Sequence, residues 1–136
     1  MPSHARKLCI FIVDDEAAIV ENLAQALAQE GYETRCFANA LDALEAASET
    51  AVHLLMTEMV LPGLSGVQLA IRMREIAPHC RFLFFSGEVS TDDYFSKGYS
   101  GPRVKIHQKP LRIPELMAEI LALNLGEGHI NGIYRD

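Results

Sequence analysis

The most restrictive feature of this sequence is an apolar run that ends in one carboxylate and then breaks into a loop containing proline and glycine. The run, His-Leu-Leu-Met-Thr, occupies residues 53–57, and Glu58, Pro62 and Gly66 follow it. A short apolar run bounded by turn-forming residues is typical of a buried strand. The pattern therefore predicts that Glu58 lies at the carboxyl end of a buried strand, where ligands gather in open α/β sheets.

Strand and helix patterns alternate along the rest of the chain. Strands are predicted over residues 7–13, 32–37, 53–58, 81–86 and 104–108. Helices with apolar residues at helical spacing are predicted over residues 16–30, after the cap residue Asn39, around Leu69 to Ile76 and from Pro114 until Gly126 and Gly128. Residues 91–102 contain several glycine and serine residues and leave room for about two turns of weakly supported helix.

This alternation predicts an α/β fold with a doubly wound parallel sheet. Five strands joined by single helices must run parallel with right-handed crossovers. The chain has 136 residues, of which 49% are hydrophobic, and this is enough for one domain with a substantial core. We expect a single domain over residues 1–124 and a tail over residues 125–136, without a second or output domain.

Composition excludes several classes of function. The formal net charge of −6 disfavours direct binding of nucleic acid, because phosphate binding needs a clustered excess of Lys and Arg. The apolar run before Asp14 is too short for a signal peptide, and no stretch reaches the length of a membrane span. Cys9, Cys36 and Cys80 lack CxxC spacing, so they are interpreted as reduced core residues of a cytoplasmic protein.

Polar residues follow the predicted strands at the points where the strands end. Because these ends share one edge of the sheet, Asp14, Asp15, Glu58, Ser86 and Lys109 are expected in one shallow pocket. Crowded carboxylates repel one another and favour a hard divalent cation such as Mg²⁺, with Asp15 as a good ligand and Asp14 beside it. A lysine and a hydroxyl opposite them suit a carboxylate or a phosphoryl group.

On these residues the chain resembles the receiver domains of two-component response regulators. The resemblance covers residues 7–124 and rests on four motifs: the Asp-Asp-Glu after the first strand, the acid four residues before Pro62 with Gly66 beyond it, Ser86, and Lys109-Pro110. It implies a flavodoxin-like (βα)5 fold with strand order 2-1-3-4-5. It also implies a sensor histidine kinase, a phosphotransfer protein or a downstream output protein as partner.

The resemblance assigns a role to each matching residue. Asp14 and Asp15 match the acidic pair that holds Mg²⁺, and the main chain at Val60 matches the carbonyl ligand. Ser86 matches the hydroxyl that follows the phosphoryl group, and Lys109 matches the lysine that contacts it. These assignments imply a magnesium-dependent phosphorylation site.

Two residues depart from the family pattern. Glu58 occupies the position of the phospho-accepting aspartate, and its extra methylene places the carboxylate about 1.5 Å farther into the pocket. In-line transfer tolerates little misplacement, so Glu58 is expected to be a poor acceptor that partly imitates an aspartyl phosphate. Ile106 occupies the position of the aromatic switch residue, so the chain departs from the family in the coupling between Ser86 and that ring.

Three functions follow from this pattern. The first is an atypical receiver, or pseudo-receiver, that binds partner proteins while phosphorylation at Glu58 is weakened or lost. The second is an ordinary receiver that accepts phosphate from a sensor kinase. The third is a haloacid-dehalogenase-like phosphatase, but such enzymes carry Asp-x-Asp after the first strand and usually a cap domain, whereas this chain has Asp-Asp-Glu and no room for a cap.

A partner surface, or a homodimer interface, is expected on the face formed by residues 91–124. Met117 and Leu121 form a second apolar row on the last helix, beyond what one buried face requires. Tyr94, Phe95 and Tyr99 add apolar groups in the weakly helical segment. The alternative is that these side chains complete the core.

Overall fold

The computed structural model describes residues 8–87, 105–123 and 125. Strands and helices alternate along these residues: β1 (Cys9–Val13), α1 (Ala17–Gln29), β2 (Glu33–Phe37), α2 (Ala40–Ala47), β3 (Leu54–Glu58), α3 (Gly66–Ile76), β4 (Arg81–Ser86), β5 (Lys105–Gln108) and α4 (Ile113–Ala122). The predictions for residues 91–102, Gly126 and Gly128 lie outside the described residues. None of the described helices is both long and apolar enough to cross a membrane.

The five strands form one parallel sheet in the order β2-β1-β3-β4-β5, which confirms the predicted fold. Every residue of β1 and β3 is buried, as is every residue of β4 except Arg81. These near-continuous apolar runs are what the centre of a parallel sheet requires, because helices cover both of its faces. Strand β2 lies at one edge and is half-exposed, as predicted.

The core consists of one apolar layer on each side of the sheet. Phe11, Leu55 and Phe84 pack against α2 and α3 on one side. Their chain neighbours Ile12, Met56 and Phe85 pack against α1 and α4 on the other. Successive side chains of a strand point to opposite faces, so each buried strand supplies both layers. The two layers hold the strands side by side. Because all strand pairs are parallel, the carboxyl ends of the strands share one edge of the sheet.

Two predictions about single residues need revision. Cys9 and Cys80 are buried as predicted, but the prediction for Cys36 is wrong, because Cys36 lies on the edge strand β2 and is exposed. Met117 is half-buried and packs against the core layer beside α1, so it follows the alternative of completing the core. Leu121 remains 55% exposed on α4.

Candidate functional site

The carboxyl ends of three strands bring two carboxylates and one ammonium group together. Asp14 follows β1, Glu58 ends β3, and Lys109 follows β5. The Lys109 Nζ atom lies 2.9 Å from Asp14 Oδ2 and 2.6 Å from Glu58 Oε1. Because Asp14 and Glu58 are both buried, this is an internal ion-pair cluster at the edge of the sheet.

Asp14 is held by its own main chain and by the turn that follows it. Its N–H donates to the carbonyl oxygen of Phe37 at 3.1 Å, and its Oδ1 accepts the N–H of Glu16 at 2.9 Å. Its Oδ2 is buried and has no hydrogen bond among the described residues, although it lies at ion-pair distance from Lys109. Burial raises the pKa of Asp14, and the hydrogen bond from the Glu16 N–H and the positive charge of Lys109 oppose this effect only in part.

Glu58 is positioned by a loop that brings the start of α3 against the end of β3. The N–H of Met59 donates to the carbonyl oxygen of Phe85, and the N–H of Gly66 donates to that of Met59, both at 2.9 Å. A Cβ atom at Gly66 would overlap the main-chain carbonyl oxygen of Glu58, so only glycine permits this approach. A capping box between Ser65 and Gln68 fixes the first turn of α3.

The Glu58 carboxylate has a donor on each oxygen. Oε1 lies 2.6 Å from Lys109 Nζ, and Oε2 accepts the N–H of Val60 at 3.1 Å. The side chain is only 7% exposed. The carboxylate is therefore directed at internal donors.

Lys109 is the cation of the cluster, and it contacts a third carboxylate as well. Its main-chain N–H donates to the carbonyl oxygen of Ser86 at 3.0 Å, and its Nζ donates to Glu16 Oε1 at 2.6 Å. Burial by itself would lower the pKa of the Lys109 ammonium. Contacts with the carboxylates of Glu16, Glu58 and Asp14 outweigh that effect and raise the pKa above its usual value. Lys109 is therefore protonated at neutral pH.

Comparison with models of protein families identifies the family to which this fold belongs. The model of the response regulator receiver domain matches residues 10–121. The chain belongs to the response regulator receiver domain family. It is therefore a module of two-component signalling, and its relatives are signalling proteins rather than phosphatases of the haloacid-dehalogenase type.

Individual relatives agree with this assignment. The response regulator receiver protein CpdR of Brucella abortus is 30% identical over 112 residues, which cover 82% of this chain and 92% of CpdR. A CheY-like receiver domain from Methanospirillum hungatei has a TM-score of 0.76 at 24% identity, with 86% of this chain and 93% of that chain covered. The chain spans about half the length of several other curated relatives (49% and 50% for two of them).

One further solved structure has the same fold and carries a modification. It is a response regulator of Burkholderia pseudomallei with a phosphorylated aspartic acid, a calcium ion and citrate. Its TM-score is 0.70 at 21% identity, and the match covers 87% of this chain and 73% of that one.

The other residues predicted for the receiver site lie on β4 and β5 or directly after β1. Asp15 is exposed and is not among the three carboxylates on Lys109. Ser86 is fully buried at the end of β4. Ile106 is half-buried and packs on the α2 and α3 side of the sheet. The neighbouring ring of His107 places its Nε2 3.4 Å from Oε1 of Glu119 on α4.

Sequence reasoning missed Glu16 as a member of the site. Glu16 is part of the Asp-Asp-Glu motif, but the motif predicts only Asp14 and Asp15 in the pocket. The available signal is spacing, because Glu16 stands two residues after Asp14 in the sequence. In the structure the backbone of Glu16 is extended (φ −97°, ψ 104°). Side chains two residues apart in extended chain share one side.

A magnesium ion fits the chemistry of the donor set, in competition with Lys109. Among residues 8–87, 105–123 and 125, no three His, Cys, Asp or Glu side chains are arranged as a metal site. Lys109 Nζ already contacts three carboxylates. The buried Asp14 Oδ2 is nevertheless a hard oxygen donor without a hydrogen bond, which suits Mg²⁺.

Asp14→Asn should stabilise the receiver domain by on the order of 1 kcal/mol, because it removes a carboxylate whose charged form is disfavoured by burial, while Lys109 keeps its ion pairs with Glu16 and Glu58. The folded-state pKa of Asp14 is raised, so the folded state binds this proton more readily than the unfolded chain does. The penalty is therefore present at neutral pH and disappears as the pH falls below the ordinary range of aspartate. Thermal unfolding should show a rise in Tm of roughly 3 °C.

The exposed Asp15 provides the matched control. Asp15→Asn removes the same charge one residue away without relieving a buried carboxylate. Its stability should change by less than about 0.5 kcal/mol. An Asp14→Asn variant that is less stable than wild type at pH 7 would show that the ion pair with Lys109 outweighs the cost of burial.

Proposed function

We propose that this chain is an atypical receiver that signals by binding partner proteins and accepts phosphate weakly or not at all. The observation that carries this proposal is the engagement of both Glu58 carboxylate oxygens, one by Lys109 Nζ and one by the Val60 N–H. An acceptor must present a carboxylate oxygen to an incoming phosphorus atom. Here the resting structure commits both oxygens to internal donors.

The proposal assigns Glu58 to the phospho-acceptor position. The related Burkholderia receiver contains a phosphorylated aspartic acid. Glutamate is one methylene longer, and the extra reach of about 1.5 Å lets its carboxylate meet Lys109 directly. An ion pair in this place partly imitates the contact between Lys109 and a phosphoryl group, although with less charge and fewer oxygen atoms.

The remaining site residues keep their receiver roles in this proposal. Ser86 and Lys109 are the hydroxyl and the cation of the site, and Ile106 occupies the switch position. Ile106 has no aromatic ring to report a movement of Ser86 and packs against the core layer beside α2 and α3. A signal that travels through this position would therefore rely on packing rather than on a ring flip.

A second candidate is an ordinary receiver that is phosphorylated at this site. It is favoured by the presence of Asp14, Ser86 and Lys109 at the ends of β1, β4 and β5. The two candidates differ in how readily phosphate is gained from acetyl phosphate in the presence of Mg²⁺. Intact-protein mass spectrometry of the wild type and of Glu58→Asp decides between them. In an atypical receiver only the variant should gain phosphate readily, whereas in an ordinary receiver the wild type should gain it as well.

Mg²⁺ should bind weakly through Asp14, Asp15 and the main-chain carbonyl of Val60. When bound, the ion would neutralise carboxylate charge that Lys109 alone leaves unbalanced. Addition of millimolar Mg²⁺ should shift NMR amide signals of residues 14–16 and 58–60. The shifts should be lost when Asp14 and Asp15 are both replaced by Asn. Unchanged amide signals in the wild type would contradict this part of the proposal.

Partners are proposed from the behaviour of the family. Receiver domains interact with histidine kinases, phosphotransfer proteins and output domains. For this chain we infer one receiver domain over residues 1–124, a tail over residues 125–136, and a partner or homodimer surface on the face of residues 91–124. The exposed Leu121 on α4 supports that face. No direct contact with nucleic acid is proposed.

A further inference from the structure

The three carboxylates around Lys109 differ sharply in their exposure to solvent. The side chains of Asp14 and Glu58 are 0% and 7% exposed, whereas that of Glu16 is 59% exposed. All three reach the same Nζ atom, at 2.9, 2.6 and 2.6 Å. The ammonium group therefore has two buried partners and one partner at the surface.

The side chain of Glu16 does not serve its own helix. Glu16 is the N-cap residue of α1, yet its side chain makes no capping hydrogen bond. Its described hydrogen bond instead crosses to Lys109, 93 positions along the chain. Its backbone needs no help from this side chain, since Asp14 Oδ1 already accepts the Glu16 N–H. The Glu16 carboxylate can therefore leave Lys109 without unfolding the start of α1.

An ammonium group has three N–H donors, and three carboxylates already surround the one on Lys109 at ion-pair distance. A phosphoryl-type dianion that binds Lys109 must take one of these donors. Exposed ion pairs are worth about 0–1 kcal/mol, whereas a buried charge that loses its partner costs far more. Glu16 is therefore the partner that leaves at the lowest cost.

We propose that Glu16 is a removable internal anion that closes the receiver site by holding the Lys109 donor that a phosphoryl-type dianion would otherwise take. The proposal rests on the proposed function, since it assumes that the cluster around Glu58 is the receiver site. Its basis is the exposed contact of Glu16 with Lys109. A dianion with Mg²⁺ displaces Glu16, and Glu16 returns when the dianion leaves.

Charge adds to this effect. Asp14, Glu16 and Glu58 surround Lys109, and the exposed Asp15 lies between two of them in the chain. A dianion that approaches this edge meets repulsion from each carboxylate, and the Glu16 charge lies closest to solvent on Lys109. Loss of the Glu16 charge therefore frees a donor and reduces repulsion at the same time.

The first experiment tests the contact in the otherwise unchanged chain. Glu16→Gln should accelerate proton exchange of the Lys109 ammonium group, followed by ¹⁵N NMR, by roughly two- to fivefold, the range that an exposed ion pair is worth. The matched control is Glu21→Gln, which removes the same charge from an exposed position on α1. The control should leave the exchange rate of Lys109 unchanged.

The second experiment tests the closing role with a covalent reaction. In the Glu58→Asp background, the introduced carboxylate attacks the phosphorus of acetyl phosphate and acetate leaves, so that one acyl phosphate replaces another. Added Glu16→Gln should raise the initial rate by roughly two- to fivefold, because the Glu16 charge still faces the incoming dianion on Lys109 after the side chain at position 58 is shortened, and added Glu21→Gln should not. The gain should shrink at high salt, because salt screens exposed charges.

The possible results separate this inference from the proposed function. Equal rates for Glu16→Gln and Glu21→Gln in both experiments would overturn the role of Glu16 and leave the role of Glu58 untouched. Ready phosphorylation of the wild type would overturn the proposed function, while the ammonium exchange would still decide the Glu16 contact. A slower reaction of the Glu16→Gln variant would show that Glu16 assists phosphoryl transfer and would also overturn the inference.

Discussion

Glu58→Asp should accept phosphate from acetyl phosphate about a hundredfold faster than the wild type, because a misplacement near 1 Å costs about that factor. In the wild type the longer side chain brings Oε1 to 2.6 Å from Lys109 Nζ and Oε2 to the Val60 N–H. Aspartate withdraws the carboxylate by about 1.5 Å and leaves space between it and Lys109. That space is what an incoming phosphoryl group needs.

The measurement is intact-protein mass spectrometry over time, with acetyl phosphate and Mg²⁺ present for both proteins. Glu58→Gln keeps the length of the side chain but removes the nucleophile, so it should gain no phosphate at this position. Peptide mapping should place the new phosphate of the Glu58→Asp variant at residue 58. If the wild type gains phosphate on Glu58 as fast as the variant, the chain is an ordinary receiver with an unusual acceptor.

Gly66→Ala should destabilise the domain by about 3 kcal/mol, which is the upper end of the usual range for inserting an extra group into a well-packed site. The new Cβ would overlap the carbonyl oxygen of Glu58 and lie 3.0 Å from Cα of Met59. Both obstacles are main chain, so no side-chain rotation relieves them. Either α3 moves away or the end of β3 bends, and the second change displaces the Glu58 carboxylate from Lys109.

Thermal unfolding should show a fall in Tm of roughly 10 °C for Gly66→Ala. Gly87→Ala is the matched control, because a Cβ there meets nothing within 4 Å. Its stability should change by less than about 0.5 kcal/mol. A Gly66→Ala variant as stable as the Gly87→Ala variant would show that the loop between β3 and α3 yields without cost.

The sequence predicted most of the fold because the signals were local. Continuous apolar runs marked β1, β3 and β4, and all three are buried in the centre of the sheet. The half-polar run that forms β2 was predicted to be more exposed, and it lies at the edge. Errors arose where a residue's surroundings come from distant chain. The apolar context of Cys36, for example, predicts a core residue, but among the described residues it lies on the edge strand β2 and is exposed.

The sequence by itself also determined which chemical groups stand at the strand ends. Asp14, Glu58 and Lys109 each follow or end an apolar run, and a parallel sheet must bring those ends to one edge. This holds for any chain with that alternation, because the direction of each strand is fixed by the helix crossover before it. The identity of the acceptor residue, a glutamate, is likewise a fact of the sequence alone.

Only the tertiary structure decided how these groups share their charges. It showed that Lys109 contacts Glu16 as well as Asp14 and Glu58, and that Asp15 is not a member of this set. Such contacts depend on side-chain directions at the ends of β1, β3 and β5, segments far apart in the chain. Local periodicity reports which face of an element is buried, but it carries no distance between atoms of different elements. The distances of 2.6 to 2.9 Å around Lys109 exist only once the sheet has assembled.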